Sequence, residues 1–142
     1  MNPMLKNILA VVGGIVAGSI VNMGLVNIGP LVIPLPEGTD VTSMEKLRES
    51  MHLFTPSNFL FPFLGHALGT LVGAFVAAKL AATHQLRSAM IIGAFFLVGG
   101  IAAVKMIGGP IWFNVVDLIC AYLPMGYLGG FLAGRRSSAP ST

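Results

Sequence analysis

Four long apolar segments separated by short polar breaks constrain this chain more than any other feature of its sequence. They cover residues 5–33, 56–82, 88–107 and 110–134. About 20 apolar residues in an α-helix are enough to cross a bilayer, and a helix satisfies its own backbone hydrogen bonds there. The sequence therefore predicts an all-α protein: an integral membrane four-helix transmembrane bundle formed by a single domain, residues 1–134. The polar end of the chain, residues 135–142, is expected to be a disordered cytoplasmic tail.

The composition agrees with a membrane protein. Charged residues make up 9% of the chain and hydrophobic residues 55%, whereas an ordinary soluble domain is roughly a quarter charged. The single cysteine, Cys120, excludes an internal disulfide and a multi-thiolate metal site. No cofactor is expected, and no basic run suits a nucleic acid. The lipid bilayer is the predicted partner.

The distribution of lysine and arginine predicts the orientation. With the N-terminus inside, the inner side would carry Lys6, Lys79, Arg87, Arg135 and Arg136, and the outer side Lys46, Arg48 and Lys105. Cytoplasmic loops carry an excess of Lys and Arg. We therefore expect a multi-pass protein of the cell (inner) membrane with both termini in the cytoplasm. The first apolar segment is too long for a signal-peptide core, so it is read as an uncleaved span.

The outer loop, residues 34–55, is the one substantial segment predicted outside the membrane. Thr42 and Glu45 have the spacing of a capping box. Met44, Leu47 and Met51 then recur at helical spacing among charged residues. This pattern predicts a short amphipathic helix over residues 43–52. It could be a lid over the bundle or a docking surface for a partner protein.

Small residues recur at four-residue spacing in the apolar segments, and such stripes let helix backbones approach closely in lipid. The stripes are Gly14, Gly18 and Asn22; Gly69, Gly73 and Ala77; Ala89 and Gly93; and Gly126, Gly130 and Gly134. Two glycine-rich faces in each molecule would suit contact with a second copy of the chain, so a homo-oligomer is one hypothesis.

Polar residues in the four apolar segments define the candidate site. They are Asp117, His66, Asn114, Asn22, Asn27, Lys105 and Thr70. At about 1.5 Å per helical residue, His66 lies about 12 Å inward from Asn58, and Asp117 lies about 10 Å inward from Pro110. The polar side chains therefore share one depth in the outer half of the membrane.

Three interpretations of this polar layer stay open. Asp117 and His66 can line an outward-facing pocket that binds a small ligand or relays a proton or ion. The same residues can simply hydrogen-bond across helices and fix their packing. Alternatively, Asp117 can extend to the outer interface.

Two classes of function follow from these interpretations. The first is a small transporter, channel or ligand-binding membrane protein with a polar pocket. The second is a non-enzymatic accessory or scaffold subunit. No order of nucleophile, base and acid indicates catalysis, so a non-enzymatic role is favoured, and no family is assigned from the sequence.

Overall fold

The computed structural model describes residues 1–135 as α-helices joined by short connections, with no strand in this range. The helices are α1 (Pro3–Val32), α2 (Met44–Ser50), α3 (Leu60–Leu80), α4 (Gln85–Ile107), α5 (Ile111–Cys120) and α6 (Leu123–Arg135). Two 3₁₀ turns, Met51–Leu53 and Pro56–Phe59, lead from α2 into α3. The tail predicted for residues 135–142 lies outside the described residues, except that α6 ends with Arg135.

Four helical segments are long and apolar enough to cross a membrane. They are Pro3–Val32, Pro56–Leu80, Gln85–Ile107 and Ile111–Gly134. The all-helical prediction is thus confirmed, and so is the number of candidate spans. The predicted bounds differ from the observed ones by three residues or fewer.

The fourth segment differs from the single continuous span predicted for residues 110–134. It consists of two helices, α5 and α6, separated at Ala121 and Tyr122. Pro124 explains the interruption, because proline has no N–H and its ring collides with the carbonyl four residues earlier. That residue is Cys120, the last residue of α5.

The helix α3 lies at the centre of the bundle and packs against α1, α4 and α6. Its contact with α1 is a close approach of two backbones. A Cβ atom added at Gly14 would lie 2.5 Å from the carbonyl oxygen of Gly73, and one at Gly18 would lie 2.6 Å from that of Gly69. The core beside this contact is built mostly from small side chains, namely Ala74, Ala77, Ala78, Ala89, Ile92 and Ala133.

The two ends of the bundle are distinct. The side chain of Asn7 near the start of α1 donates to Thr83 Oγ1 (2.8 Å) and accepts from the N–H of Ala82 (2.8 Å). The N-terminus and the α3–α4 connection therefore share one end, which we call the inner end. The outer end carries residues 34–59.

The outer segment, residues 34–59, is ordered locally by polar contacts around Asp40. Its carboxylate accepts from the Thr42 hydroxyl (2.6 Å) and pairs with Lys46 Nζ (3.0 Å). Thr42 is therefore not the helix cap that its spacing to Glu45 predicts. Ser43 caps α2 instead, by accepting from the N–H of Lys46 (3.2 Å).

Candidate functional site

A hydrogen-bonded cluster of the half-buried His66 with the buried Asp117 and Tyr122 joins α3, α5 and the break between α5 and α6. His66 Nδ1 lies 2.8 Å from Asp117 Oδ1, and the Tyr122 hydroxyl donates to Asp117 Oδ2 over 3.0 Å. Asp117 is 3% exposed and Tyr122 3% exposed. Both carboxylate oxygens therefore have a partner inside the bundle, as a buried acid requires.

The sequence brings these three residues together through the break at Pro124. On a continuous helix, residues five apart would lie about 140° apart around the axis. The interruption after α5 changes that relation and lets Tyr122 reach Asp117. Gly100 on α4 leaves room for the ring, because a Cβ atom there would lie 2.6 Å from the Tyr122 hydroxyl.

Tyr122 is the functional candidate that the sequence analysis missed. Tyr122 lies at the middle of the segment predicted for residues 110–134, where a lone tyrosine is typical of a core residue. Pro124 is the one local signal that could have indicated its position, because it marks where the helix stops.

The protonation of His66 follows from its partner. Since Asp117 accepts, Nδ1 is assigned as the protonated ring nitrogen, and Nε2 is left as an acceptor or a second site for a proton. The imidazole also stacks on the Tyr122 ring, with centroids 5.8 Å apart. The imidazole is therefore held by the Asp117 carboxylate and by the face of the Tyr122 ring.

An outer cavity of about 410 Å³ lies between the cluster and the outer segment. Its lining is mainly apolar and includes Leu47 and Met51 from the outer segment. His66 and Asp117 also line it, and each is the lining residue furthest along its helix, α3 or α5, from the outer end. The carboxylate and the imidazole thus form the polar floor of an apolar cavity.

A second, deep cavity of about 240 Å³ adjoins the first. Asn22, Thr70 and Tyr122 contribute its polar lining, and His66, Gly100 and Ala103 line both cavities. Towards the inner end the deep cavity stops at Phe96, which packs against Gly18 of α1. The two cavities share these three lining residues, and we call them together the cleft, which ends about halfway along the bundle.

Four other predicted residues lie on this cleft. Asn27 and Asn114 line the outer cavity, and each donates to a backbone carbonyl, that of Met23 (2.7 Å) and that of Gly109 (3.4 Å) respectively. Thr70 lines the deep cavity and donates to the carbonyl of His66 (2.7 Å).

Asn22 also lines the deep cavity and is unusual among these residues. Its Oδ1 atom is buried and has no hydrogen-bond partner within residues 1–135. The amide packs against the glycine backbone of α3, because a Cβ atom at Gly65 would lie 2.8 Å from that oxygen.

Lys105 is the predicted residue that the structure does not bring to the site. It is exposed, lines neither cavity, and forms no ion pair with Asp117 in the described part of the chain. The helical period is the reason. Ala103 and Val104 face the cavity, and around the helix axis Lys105 lies about 160° from Ala103 and about 100° from Val104.

The buried position of Asp117 differs from the interpretation in which this side chain extends to the outer interface. Its carboxylate points to His66 and Tyr122 and has almost no exposed surface. Across residues 1–135, no group of three or more His, Cys, Asp or Glu side chains is placed to hold a metal ion.

Comparison with known proteins adds no further assignment to this site. No family model, no curated protein and no solved structure matches the chain.

Proposed function

We propose that this protein is a small multi-pass membrane protein that binds a small, largely apolar ligand in the cleft between its outer segment and His66. The observation that carries the proposal is that two cavities share His66 as a lining residue, where it is hydrogen-bonded in the cluster with Asp117 and Tyr122. Small-molecule sites are concave, mostly apolar and about 300–1,000 Å³ in volume, with a few convergent polar groups. The outer cavity, at about 410 Å³, matches each of these properties.

The alternative function is an accessory or scaffold subunit in which the cluster only holds helices together. That role needs a hydrogen-bonded cluster but no cleft beside it. Protein interiors are normally close-packed, so a purely structural cluster is expected to be surrounded by side chains and not by open volume. The open volume on two sides of His66 therefore favours ligand binding over a purely structural cluster.

We further propose that the cleft faces the outside of the cell membrane and that both termini are cytoplasmic. The support is the excess of Lys and Arg towards the inner end of the bundle.

A transport function would need one more step, because Phe96 and Gly18 close the cleft towards the inner end. Release on that side requires α1 and α4 to separate at this contact.

The test fills the cleft without touching the cluster. Ala103 lines both cavities, whereas its neighbour Ala102 is exposed and lines neither. We expect Ala103→Phe to abolish binding of N-phenyl-1-naphthylamine, an uncharged apolar fluorophore, and Ala102→Phe to leave it unchanged. Binding is measured on protein in lipid nanodiscs by energy transfer from Trp112, the single tryptophan of the chain.

Two outcomes would contradict the proposal. One is the absence of saturable energy transfer in the wild-type protein. The other is identical binding by both variants, which would place the fluorophore on the lipid-facing surface and favour the accessory role. Circular dichroism of each variant checks that the added ring has not unfolded the bundle.

A further inference from the structure

We infer that the cleft selects an organic cation with apolar or aromatic substituents, such as a quaternary ammonium compound. This inference rests on the proposed function, because it names the class of ligand that the same cleft would bind. It is carried by the charge of the cluster and by the aromatic lining of the outer cavity.

The cleft is lined by a carboxyl group and by no lysine or arginine. Asp117, His66 and Tyr122 are the ionisable side chains on its lining within residues 1–135. Both Asp117 oxygens accept hydrogen bonds, as a carboxylate does. A carboxylate with no lysine or arginine beside it suits a cationic ligand better than an anionic one.

The nearest candidates for a compensating cation are placed elsewhere. Lys46 pairs with Asp40 on the exposed side of the outer segment, and Lys105 lies on the opposite face of α4. A carboxylate inside an apolar bundle is costly unless a partner compensates its charge. Hydrogen bonds from His66 and Tyr122 supply part of that compensation. A bound cation would supply the rest.

The outer cavity adds aromatic rings to this negative floor. Phe54, Phe59, Phe61 and Phe113 all line it, and the rings of Phe59 and Phe113 lie 4.7 Å apart. The faces of aromatic rings attract cations, and this attraction grows when water is excluded. Proteins recognise quaternary ammonium groups through aromatic side chains. A neutral ligand would gain the apolar contacts but neither of the two charge-dependent ones.

The experiment compares two compounds of nearly the same shape. Benzyltrimethylammonium carries a positive charge, and neopentylbenzene has a carbon in place of the nitrogen. Each is titrated against N-phenyl-1-naphthylamine bound to the wild-type protein and to Asp117→Asn. We expect the substitution to weaken displacement by the cation about ten-fold, the scale of a desolvated cation contact. Displacement by neopentylbenzene should not change. The matched control is Glu45→Gln, which removes an exposed carboxylate from α2.

A second variant keeps the inference testable if Asp117→Asn does not fold. Phe113→Leu retains an apolar side chain and removes one aromatic face from the cavity. It should weaken displacement by benzyltrimethylammonium several-fold, with little effect on neopentylbenzene.

The outcomes separate this inference from the proposed function. If neopentylbenzene displaces the fluorophore and benzyltrimethylammonium does not, the cleft binds ligands but the inferred charge selectivity is wrong. The same conclusion follows if both compounds respond equally to each variant. If the fluorophore itself does not bind in the cleft, the proposed function fails and the inference fails with it.

Discussion

The Tyr122 hydroxyl donates a hydrogen bond to Asp117 Oδ2 across the break between α5 and α6, over 3.0 Å. The break thus changes which side chains can meet, in addition to bending the fourth segment. It gives the buried carboxylate a second donor, opposite the one that His66 supplies from α3. Pro124, which interrupts the helix, is therefore a positioning residue for the cluster.

Tyr122→Phe should destabilise the protein by about 1–2 kcal/mol. The substitution removes a donor and leaves one oxygen of a buried carboxylate unpaired, which costs more than the loss of a neutral hydrogen bond. Interhelical hydrogen bonds in membranes are otherwise modest. The measurement is the free energy of unfolding from titration with sodium dodecyl sulfate in mixed micelles, followed by circular dichroism. Tyr127→Phe is the matched control, because Tyr127 is exposed and its hydroxyl has no partner in the described structure. Equal effects of the two substitutions would mean that the Tyr122 hydrogen bond contributes nothing.

Gly100→Ala should disturb the same cluster from α4. The added methyl group would lie 2.6 Å from the Tyr122 hydroxyl oxygen and 2.7 Å from the ring carbon that bears it. The ring must move away from Asp117, and such overpacking typically costs about 1–3 kcal/mol. The neighbouring substitution Gly99→Ala is the control, because its Cβ atom would meet nothing within 4 Å. We expect Gly99→Ala to be neutral or slightly stabilising in the same unfolding titration, since alanine is the better helix former. Equal losses in the free energy of unfolding at the two positions would show that the close contact between Gly100 and the Tyr122 ring does not contribute to stability.

Much of this architecture could be predicted from sequence because hydropathy acts over long stretches. Runs of about 20 apolar residues have few structural solutions in a membrane. The meeting of His66 with Asp117 depends on depth and on helix faces, which the sequence also carries. Tyr122 could not be placed, because its position depends on a local break whose direction Pro124 alone does not specify. The depth of Lys105 along its segment predicts that it lines the site. Its position around the axis of α4 directs its side chain away from both cavities.

Gly14→Ala should loosen the contact between α1 and α3. Its Cβ atom would lie 2.5 Å from the carbonyl oxygen of Gly73, a fixed backbone atom that no rotamer change can move. The two helices must separate locally, and we expect a loss of about 1–3 kcal/mol in the free energy of unfolding. The reciprocal change, Gly73→Ala, should give a similar loss, because its Cβ atom would approach Gly14 O to 2.6 Å. Gly24→Ala on the same helix has open space around it and should cost nothing. Tolerance of the first two substitutions would show that this backbone contact is not needed for stability.

The order of the outer segment should depend on pH through Asp40. Hydrogen bonds from the side chain and the N–H of Thr42, with the Lys46 ammonium nearby, lower the pKa of Asp40 from its usual 3.8 to about 2. A carboxyl group whose pKa is lower in the folded state stabilises that state above its unfolded pKa. This stabilisation is lost as the pH falls from about 4 to about 2. Because the Asp40 side chain is 43% exposed and its partners lie within the outer segment, the effect should be confined to the loop that it organises.

We therefore expect α2 to become mobile in acid while the four long apolar segments stay folded. The measurement is the electron paramagnetic resonance line shape of a nitroxide at Glu45→Cys, in a Cys120→Ser background, recorded between pH 7 and pH 2. The spectrum should sharpen below about pH 4, as protonation releases Thr42 and Lys46 from Asp40. Adding Asp40→Asn should give the mobile spectrum at every pH, because the amide cannot pair with Lys46. A pH-independent spectrum in the protein that retains Asp40, or a transition near neutral pH, would show that another group holds the outer segment over the cavity.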